Sequence, residues 1–322
     1  MSQRVKARAC ANIALCKYWG KQGPGNAPQT PSLGLVLAKL TTTTTVKRLA
    51  GPQDRYELNG KPVDPVTRQQ FSEYLEEWRL AGYLEGSVSI KAQNSFPTAA
   101  GLASSASGYA ALAVALNHLV GSPLSTTELT RWARRGSGSA ARSILGGLVA
   151  LPAGADPVAR AIKPAGSIDW AMAVAIVDAP PKTVGSREGM ERTKRTSPYY
   201  PQWASLCTKH YRDLLAAVRD DDLARAGEIV EANFLAMHAT MLAADPPLVY
   251  WSPATLAVLD AAQSWRTSGM AVYATADAGP HVALLARAGE IKRIAQRTRR
   301  IPGVKQVITS GPGSAAVVLE SR

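Results

Sequence analysis

Residues 94–108 read Asn-Ser-Phe-Pro-Thr-Ala-Ala-Gly-Leu-Ala-Ser-Ser-Ala-Ser-Gly, a stretch of mostly small side chains without a charged residue. Apolar side chains then recur every three or four residues, at Tyr109, Leu112, Leu116 and Leu119, as on the buried face of a helix. The glycine and the serines therefore lie at a helix N-terminus, where free backbone N–H groups and the helix dipole favour a phosphate. The pattern predicts a phosphate-binding loop, with close helix packing as the alternative.

The rest of the chain predicts an α+β protein with two lobes, divided near residue 180 into residues 1–180 and 181–322. Strands are predicted through much of the first 60 residues, including the five threonines at 41–45, because threonine favours strands. A continuous apolar strand follows at 169–178. Helices are predicted at 67–79, 125–135, 203–218, 223–242 and 253–268, and late strands at 271–275, 304–308 and 315–319.

The composition is typical of a globular enzyme. The 322 residues include 46% hydrophobic and 19% charged residues, and no apolar run approaches the roughly 20 residues that a membrane-spanning helix needs. The N-terminal segment lacks a secretory signal pattern. Three cysteines without metal-ligand spacing predict reduced thiols, and four scattered histidines predict no zinc site. We therefore expect a cytoplasmic protein without a membrane partner.

The net charge of +13 favours an acidic partner. Basic residues are dispersed, and no nucleic-acid-binding motif accompanies them, so we expect no nucleic acid partner. The densest basic cluster is predicted on a helix near the C-terminus and comprises Arg287, Lys292, Arg293, Arg297, Arg299 and Arg300. We interpret it as a solvated helix face, with RNA binding as the alternative. A polyanionic small substrate explains part of the charge equally well.

Residues 11–21 combine two lysines with two aromatic side chains. Lys17 and Lys21 flank Tyr18 and Trp19, and a glycine precedes the second lysine. Two ammonium groups and a phenol beside a flexible glycine suit a phosphate-bearing ligand. A strand end with exposed lysines and core aromatics is the alternative.

A second polar segment, residues 135–142, reads Arg-Gly-Ser-Gly-Ser-Ala-Ala-Arg. Ser139 and Arg142 are three positions apart and share a face of the predicted short helix. Serine hydroxyls and backbone amides at the helix start would bind phosphate, and the guanidinium would grip a carboxylate. A helix cap accounts for Ser137 or Ser139 but less readily for the arginine.

Two weaker signals lie in the second half of the chain. Residues 186–193 contribute a hydroxyl and Arg187 after a proline-rich turn, although a solvated helix start would look the same. Asp277 follows a predicted strand among small apolar residues and precedes Ala-Gly-Pro280. A carboxylate in that position suits a general base or an orienting group, whereas aspartate before Gly-Pro is also ordinary in turns.

Together these segments resemble the diphosphomevalonate decarboxylase family, within the galactokinase, homoserine kinase, mevalonate kinase and phosphomevalonate kinase superfamily. The matching segments are residues 12–21, 97–107, 136–142 and 277–280, in family order and spacing. Gly311-Pro-Gly313 resembles the C-terminal glycine loop of the superfamily. The strings Lys-Tyr-Trp-Gly-Lys and Gly-Ser-Gly-Ser-Ala-x-Arg are specific to this branch, whereas Gly-Leu-Ala-Ser-Ser is shared more widely.

The resemblance implies a two-lobed small-molecule kinase fold, with an N-terminal lobe like ribosomal protein S5 domain 2 and a ferredoxin-like C-terminal lobe. It implies a carboxy-lyase of isoprenoid biosynthesis that uses ATP and Mg²⁺ and acts as a homodimer. ATP would phosphorylate the 3-hydroxyl of mevalonate 5-diphosphate. Loss of that phosphate and of CO₂ would then give isopentenyl diphosphate.

The resemblance also assigns roles to residues. It implies that Asp277 orients or deprotonates the 3-hydroxyl, that Arg142 holds the substrate carboxylate and is positioned by Asn12, and that Lys17 lies near the transferring phosphate. Substrate contacts are expected from Tyr18, Trp19, Gly20, Lys21, Arg68, Ser137, Gly138, Ser139, Ala140, Ala141, Arg142, Ser186, Arg187 and Thr193. Nucleotide contacts are expected from Pro97, Ala100, Gly101, Leu102, Ala103, Ser104, Ser105 and Ser107, with Ser104 or Ser105 on Mg²⁺.

Two departures from the family pattern bear on the substrate. Thr30-Pro-Ser-Leu-Gly34 stands where the family usually has Asn-Asp-Ser-Leu-Ser, and His281 replaces a common asparagine. Close relatives act on mevalonate 5-phosphate, and others phosphorylate C3 without decarboxylation. The presence of both Asp277 and Arg142 argues against the pure kinase, so the monophosphate enzyme is the main alternative. A basic RNA-associated protein built on the S5-like lobe is the alternative of a different class.

Overall fold

Two β-sheets organise the protein, and a computed structural model describes residues 3–97, 104–180 and 182–322. The strands are β1 (Arg4–Cys16), β2 (Ser32–Leu49), β3 (Arg55–Leu58), β4 (Lys61–Pro62), β5 (Ser87–Asn94), β6 (Leu148–Leu151), β7 (Arg160–Lys163), β8 (Trp170–Val177), β9 (Tyr273–Thr275), β10 (Val282–Arg287), β11 (Val304–Ser310) and β12 (Val317–Ser321). The helices are α1 (Pro65–Leu80), α2 (Ser104–Leu119), α3 (Thr126–Gly136), α4 (Ala140–Ile144), α5 (Ser186–Thr196), α6 (Tyr200–Arg219), α7 (Leu223–Leu242), α8 (Pro253–Thr267) and α9 (Ile291–Thr298).

The first sheet has the strand order β12-β1-β2-β5-β3-β4, with β6 paired to β2 and β7 paired to β6. The two strands predicted at 32–39 and 41–46 are one long strand, β2, which pairs with β1, β5 and β6. The threonine run alternates as predicted for a strand with one polar face, because Thr42 and Thr44 are buried whereas their neighbours are partly exposed. Strand β1 is therefore an inner strand of this sheet, between β12 and β2.

Helices α1, α2 and α3 cover one face of the first sheet. Helix α2 consists mainly of alanine and leucine after its serine-rich start, and most of its side chains are buried. Trp78 of α1 packs against Trp132 of α3, with their ring centroids 4.5 Å apart. Helix α3 begins with a capping box between Ser125 and Glu128, which satisfies free N–H groups at the helix start. The buried α2 thus points its N-terminus, predicted to bind phosphate, towards the centre of the protein.

The second sheet has the order β11-β8-β10-β9 and is entirely antiparallel. Strand β8 is the predicted apolar strand, and it lies between β10 and β11, where both of its faces are buried. By strand pairing, the chain therefore changes sheets between β7 and β8, ahead of the predicted division at residue 180, and β12 returns to pair with β1. That division stays a prediction.

Strand β10 is absent from the sequence predictions, because it is a short apolar run without alternation, directly after a proline turn. Of the predicted basic cluster, Arg287 ends β10 and bonds Asp221, whereas Lys292 and Arg293 lie on the exposed face of α9, as predicted. None of the helices in the described ranges is both long enough and apolar enough to span a bilayer.

Candidate active site

A cavity of about 370 Å³ lies between the two sheets and is lined by residues from every predicted site segment except the glycine loop at 311–313. The predicted residues that line it are Asn12, Lys17, Tyr18, Trp19, Lys21, Ser104, Ser105, Ser137, Gly138, Ser139, Arg142, Ser186, Arg187 and Asp277. They come from the end of β1, the start of α2, the segment between α3 and α4, the start of α5 and the turn after β9. Concave cavities with converging polar groups are the usual location of small-molecule sites.

An ion pair between Lys17 and Asp277 lies at the centre of the cavity, with Nζ 2.6 Å from Oδ1. The lysine side chain is only 1% exposed, whereas the aspartate side chain is 29% exposed and faces the cavity. The side-chain oxygen of Asn233, on α7, accepts a hydrogen bond of 2.7 Å from the Lys17 backbone N–H and so anchors the end of β1. Burial lowers the pKa of Lys17, and the neighbouring Asp277 opposes that shift.

The turn that carries Asp277 is held from two further sides. His238 of α7 lies with Nε2 3.2 Å from the Asp277 carbonyl oxygen. Burial, with Lys17 nearby, lowers the pKa of His238 to about 4, so the ring is neutral and donates from Nε2. Lys182 donates a hydrogen bond to the Ala278 carbonyl and also lines the cavity.

Sequence reasoning missed Lys182, Asn233 and His238 as contributors to the site. The signal for Lys182 was a lone lysine just after the apolar strand at 169–178. The other two lie on α7, where a polar residue in a mostly apolar helix resembles an ordinary buried polar group. Their partners, Lys17 and Asp277, are too distant in sequence for a local pattern to connect them.

Arg142 is buried in a network that aims its guanidinium at the cavity. Its Nε donates to Asn12 Oδ1 at 2.9 Å, and its Nη1 donates to Ser32 Oγ at 2.5 Å. Asn12 in turn donates to the Ser139 carbonyl oxygen and to Ser143 Oγ. Burial lowers the pKa of Arg142 to about 10, so it stays charged at neutral pH. The expected contact of Asn12 with Arg142 is therefore present, and a fixed cation faces the cavity.

A basic region forms the end of the cavity near residues 18–26. Tyr18 Oη donates to the Asn26 carbonyl oxygen at 2.8 Å, and Lys21 Nζ donates to Asn26 Oδ1 at 2.6 Å. Burial, and then the nearby Arg187, lower the pKa of Lys21 to about 8. Gly138 lies so close to Tyr18 that a Cβ there would come within 2.3 Å of the ring. These groups can bind an anion with both charge and backbone N–H groups.

Other predicted site residues lie off the cavity lining, and these are Gly20, Arg68, Pro97, Ser107, Ala140, Ala141 and Thr193. The Thr193 hydroxyl donates to the Gly189 carbonyl oxygen inside α5, and Ser107 shares a hydrogen bond of 2.6 Å with Thr42. Arg68 is exposed on α1, two positions before Gln70, which lines the cavity. Ala100, Gly101, Leu102 and Ala103 lie outside the described residues.

The start of α2 can hold nucleotide phosphates and a divalent cation. Ser104 and Ser105 line the cavity, and Ser105 Oγ lies 3.1 Å from Ser137 Oγ. In the described ranges, no group of three or more histidine, cysteine, aspartate or glutamate side chains is placed to chelate a metal. Hydroxyl donors nevertheless fit Mg²⁺, because that ion keeps several waters and binds largely through substrate phosphates.

Comparison with known proteins identifies the family. Residues 9–162 match the diphosphomevalonate decarboxylase-like N-terminal domain, and residues 172–312 match the mevalonate 5-diphosphate decarboxylase C-terminal domain. The chain belongs to the diphosphomevalonate decarboxylase family. The family resemblance predicted from the sequence is thus confirmed.

Diphosphomevalonate decarboxylases from two fungi illustrate the similarity. The protein from Eremothecium gossypii is 34% identical over 301 residues, which cover 86% of this chain and 76% of the relative. The protein from Aspergillus fumigatus is 36% identical over 307 residues, which cover 87% of this chain and 76% of the relative. Both alignments include most of each chain.

Solved structures of mevalonate diphosphate decarboxylases have the same fold. The Staphylococcus aureus enzyme gives a TM-score of 0.94 at 35% identity, covering 99% of both chains. The structure of MDDEF in complex with MVAPP, AMPPCP and magnesium gives a TM-score of 0.93 at 37% identity, covering 99% of this chain and 100% of that chain. The predicted α+β small-molecule kinase fold of the decarboxylase family is therefore confirmed.

Proposed function

We infer that this protein catalyses the ATP-dependent decarboxylation of mevalonate 5-diphosphate to isopentenyl diphosphate, with ADP, phosphate and CO₂ as the other products. One observation carries this inference: a single cavity contains a Lys17–Asp277 pair, a fixed Arg142 cation and a basic end around Lys21. The substrate has a hydroxyl, a carboxylate and a diphosphate. These groups match Asp277, Arg142 and the basic end around Lys21, respectively. Membership of the decarboxylase family supports the same reaction.

The chemistry begins at the 3-hydroxyl of the substrate. Asp277 accepts a hydrogen bond from this hydroxyl and takes its proton as the oxygen attacks the γ-phosphorus of ATP. Lys17 holds the Asp277 carboxylate in place by donating a hydrogen bond to Oδ1. The positive charge of Lys17 also stabilises the negative charge that develops on the phosphoryl group. Catalysis of this kind depends on positioning and charge stabilisation rather than on a covalent enzyme intermediate.

Phosphorylation converts a poor leaving group into a good one. The C3–O bond then breaks with departure of phosphate, and the electron pair of the C1–C2 bond forms the new alkene as CO₂ leaves. Arg142 holds the carboxylate in the geometry that aligns this bond with the breaking C–O bond. Its fixed position, bonded to Asn12 and Ser32, favours decarboxylation over release of a phosphorylated product.

The basic end of the cavity favours the diphosphate over the monophosphate. Lys21 and Arg187 line both the main cavity and an adjoining cavity of about 450 Å³, to which Arg135 and Lys194 also contribute. In the adjoining cavity the carboxylates of Glu73, Glu77 and Glu191 offset the charge of Arg135 and Lys194. The two cations that also reach the main cavity, Lys21 and Arg187, match the charge of a diphosphate better than that of a monophosphate. Tyr18 and Ser139 add hydroxyl groups that can bind the inner phosphate.

The nucleotide would lie with its phosphates at the start of α2. Ser104 and Ser105 offer hydroxyls there, and the free backbone N–H groups of a helix N-terminus favour phosphate. Mg²⁺ bound with ATP neutralises charge on the transferring phosphoryl group. Lys182, with its ammonium buried beside the Asp277 turn, adds a positive charge on the facing side.

A side-by-side assay tests the proposal. Purified protein with ATP and Mg²⁺ is given mevalonate 5-phosphate or mevalonate 5-diphosphate, and ADP and CO₂ are measured together. We expect equal amounts of ADP and CO₂, with a higher kcat/KM for the diphosphate. The opposite ranking would identify the monophosphate enzyme, and ADP without CO₂ would identify a kinase. No turnover of either compound would refute the function altogether.

We further propose that the protein is a cytoplasmic homodimer. The three free cysteines, Cys10, Cys16 and Cys207, are all buried and fit a reducing environment. Sedimentation equilibrium of the purified protein would give the number of subunits, and a monomer at assay concentrations would contradict the dimer.

A further inference from the structure

A third, much smaller cavity lies behind the Asp277 turn, where the two sheets meet. Its walls include Ile13 of β1, Val174 of β8 and Thr275 of β9, and its remaining wall includes Asp277 and His281. Asp277 therefore lines both this cavity and the main one. The volume of about 10 Å³ matches one ordered water molecule.

Two buried polar atoms in this wall lack a hydrogen-bond partner among the residues that the structure describes. They are Thr275 Oγ1, on a fully buried side chain, and His281 Nε2, on a side chain that is 9% exposed. Buried polar atoms in folded proteins nearly always have a partner, either from the protein or from ordered water. Two such atoms in one cavity therefore indicate a shared ligand.

The hydrogen bonding of His281 shows that the ligand must accept a hydrogen bond from the imidazole ring. The Val177 backbone N–H donates to His281 Nδ1 at 3.2 Å, so Nδ1 has no proton and the ring proton is on Nε2. Burial, and then the nearby Lys182, lower the pKa of His281 to about 4, which keeps the ring neutral. The cavity thus contains one N–H donor, one hydroxyl and one carboxylate residue.

We propose that one ordered water molecule occupies this cavity and links Thr275, His281 and Asp277. The water accepts the hydrogen bond from His281 Nε2 and donates to Thr275 Oγ1 and to the Asp277 carboxylate. This arrangement uses every polar group in the wall. A metal cation is disfavoured by the N–H donor, and an anion is disfavoured by the carboxylate.

The water gives Thr275 and His281 a positioning role in the reaction, an inference that rests on the proposed function of Asp277. Lys17 already bonds Oδ1 of that carboxylate. A second hydrogen bond, from the water, restricts rotation of the carboxylate and holds one oxygen towards the 3-hydroxyl of the substrate. His281 supplies the N–H donor to this water, and the amide of an asparagine is a neutral donor of the same kind.

A crystal structure at a resolution that orders water tests the site without any reference to activity. We expect a spherical density peak within hydrogen-bond distance of Thr275 Oγ1, His281 Nε2 and an Asp277 carboxylate oxygen. An empty cavity, with the Thr275 hydroxyl bonded to a backbone carbonyl instead, would overturn the proposal. Because this measurement needs no turnover, it holds even if the proposed reaction is wrong.

Kinetics of variants test the positioning role. Thr275→Val removes the hydroxyl and keeps the shape, and we expect kcat to fall about tenfold while KM for mevalonate 5-diphosphate stays within about twofold. Thr275→Ser retains the hydroxyl and should keep kcat near that of the unmodified protein. His281→Asn should likewise retain activity, whereas His281→Leu should lose about as much as Thr275→Val. Equal kcat in all four variants would overturn the role, as would equal losses in Thr275→Ser and Thr275→Val.

Discussion

Lys17 Nζ lies 2.6 Å from Asp277 Oδ1, although the two residues are 260 positions apart in the chain. Lys17 directly follows β1 of the first sheet, and Asp277 follows β9 of the second sheet. The pair therefore joins the two sheets at the centre of the cavity. The buried charge of Lys17 is stabilised by the Asp277 carboxylate, its direct ion-pair partner.

Replacing Asp277 by asparagine should remove the base and leave the binding groups in place. We expect kcat for mevalonate 5-diphosphate to fall by about 10² to 10⁴, the usual contribution of general acid–base catalysis. Calorimetric titration should give a Kd for the substrate within a few-fold of the unmodified value. Asp178→Asn, at an exposed surface carboxylate, is the matched control and should retain activity. Turnover close to normal in Asp277→Asn would contradict the assigned role.

The two halves of the ion pair should differ in their effect on stability. Asp277→Asn leaves the buried Lys17 ammonium without its carboxylate, and we expect a loss of about 3 kcal/mol in the free energy of unfolding. Lys17→Met removes the buried charge itself and leaves a partly exposed carboxylate, so the loss should be below about 1 kcal/mol. Urea denaturation at neutral pH measures both, and equal losses would contradict this account.

The deficit of Asp277→Asn should also depend on pH. Burial already lowers the pKa of Lys17, and loss of the carboxylate removes the group that opposes this shift. Between the lowered folded value and the unfolded value, the unfolded chain binds more protons, so stability rises with pH. Urea denaturation from pH 7 to 10 should therefore show the deficit shrinking relative to the unmodified protein. A constant deficit would indicate that Lys17 stays charged in the variant.

Substrate binding should weaken in alkaline solution because of Lys21. Its pKa is lowered to about 8, so the free enzyme loses this positive charge above that pH. We expect KM for mevalonate 5-diphosphate to rise about tenfold between pH 7.5 and 9, since a deprotonated amine no longer attracts the diphosphate. Lys21→Arg keeps its charge throughout this range and should give a nearly flat profile. The same rise in both proteins would assign the effect to another group.

Gly138 should be intolerant of a side chain because Tyr18 occupies the space. An alanine Cβ would lie 2.3 Å from the Tyr18 ring, so the ring must move and its hydrogen bond to Asn26 must break. We expect Gly138→Ala to raise KM for the diphosphate about tenfold, with a smaller change in kcat. Gly166→Ala, where nothing lies within 4 Å, is the control and should be neutral. An unchanged KM in Gly138→Ala would show that the position of Tyr18 does not affect substrate binding.

Much of the secondary structure follows from local patterns. Helix α7 has the predicted bounds, 223–242, because its apolar residues keep a helical period over five turns. Strand β8 was predicted from its continuous apolar run, and the two-faced burial of a central strand explains that run. Strand β10 was missed, because five apolar residues after a proline turn have no period that separates a strand from a short helix.

The sequence by itself determined the chemical groups of the site. The lysines and aromatic residues at 17–21, the serines and arginine at 137–142 and the lone carboxylate at 277 are all visible as strings of residues, because each string is read within about ten positions. Local order along the chain is enough to show that a helix begins at the small-residue stretch near residue 104.

Only the tertiary structure decided which of these groups meet. The Lys17–Asp277 pair, the approach of His238 to the Asp277 turn and the small cavity beside Thr275 all join segments far apart in the chain. Such contacts depend on the path by which β8 joins the second sheet while β12 returns to the first. A local pattern carries no information about that path, because it is selected by the packing of both sheets and their helices as a whole.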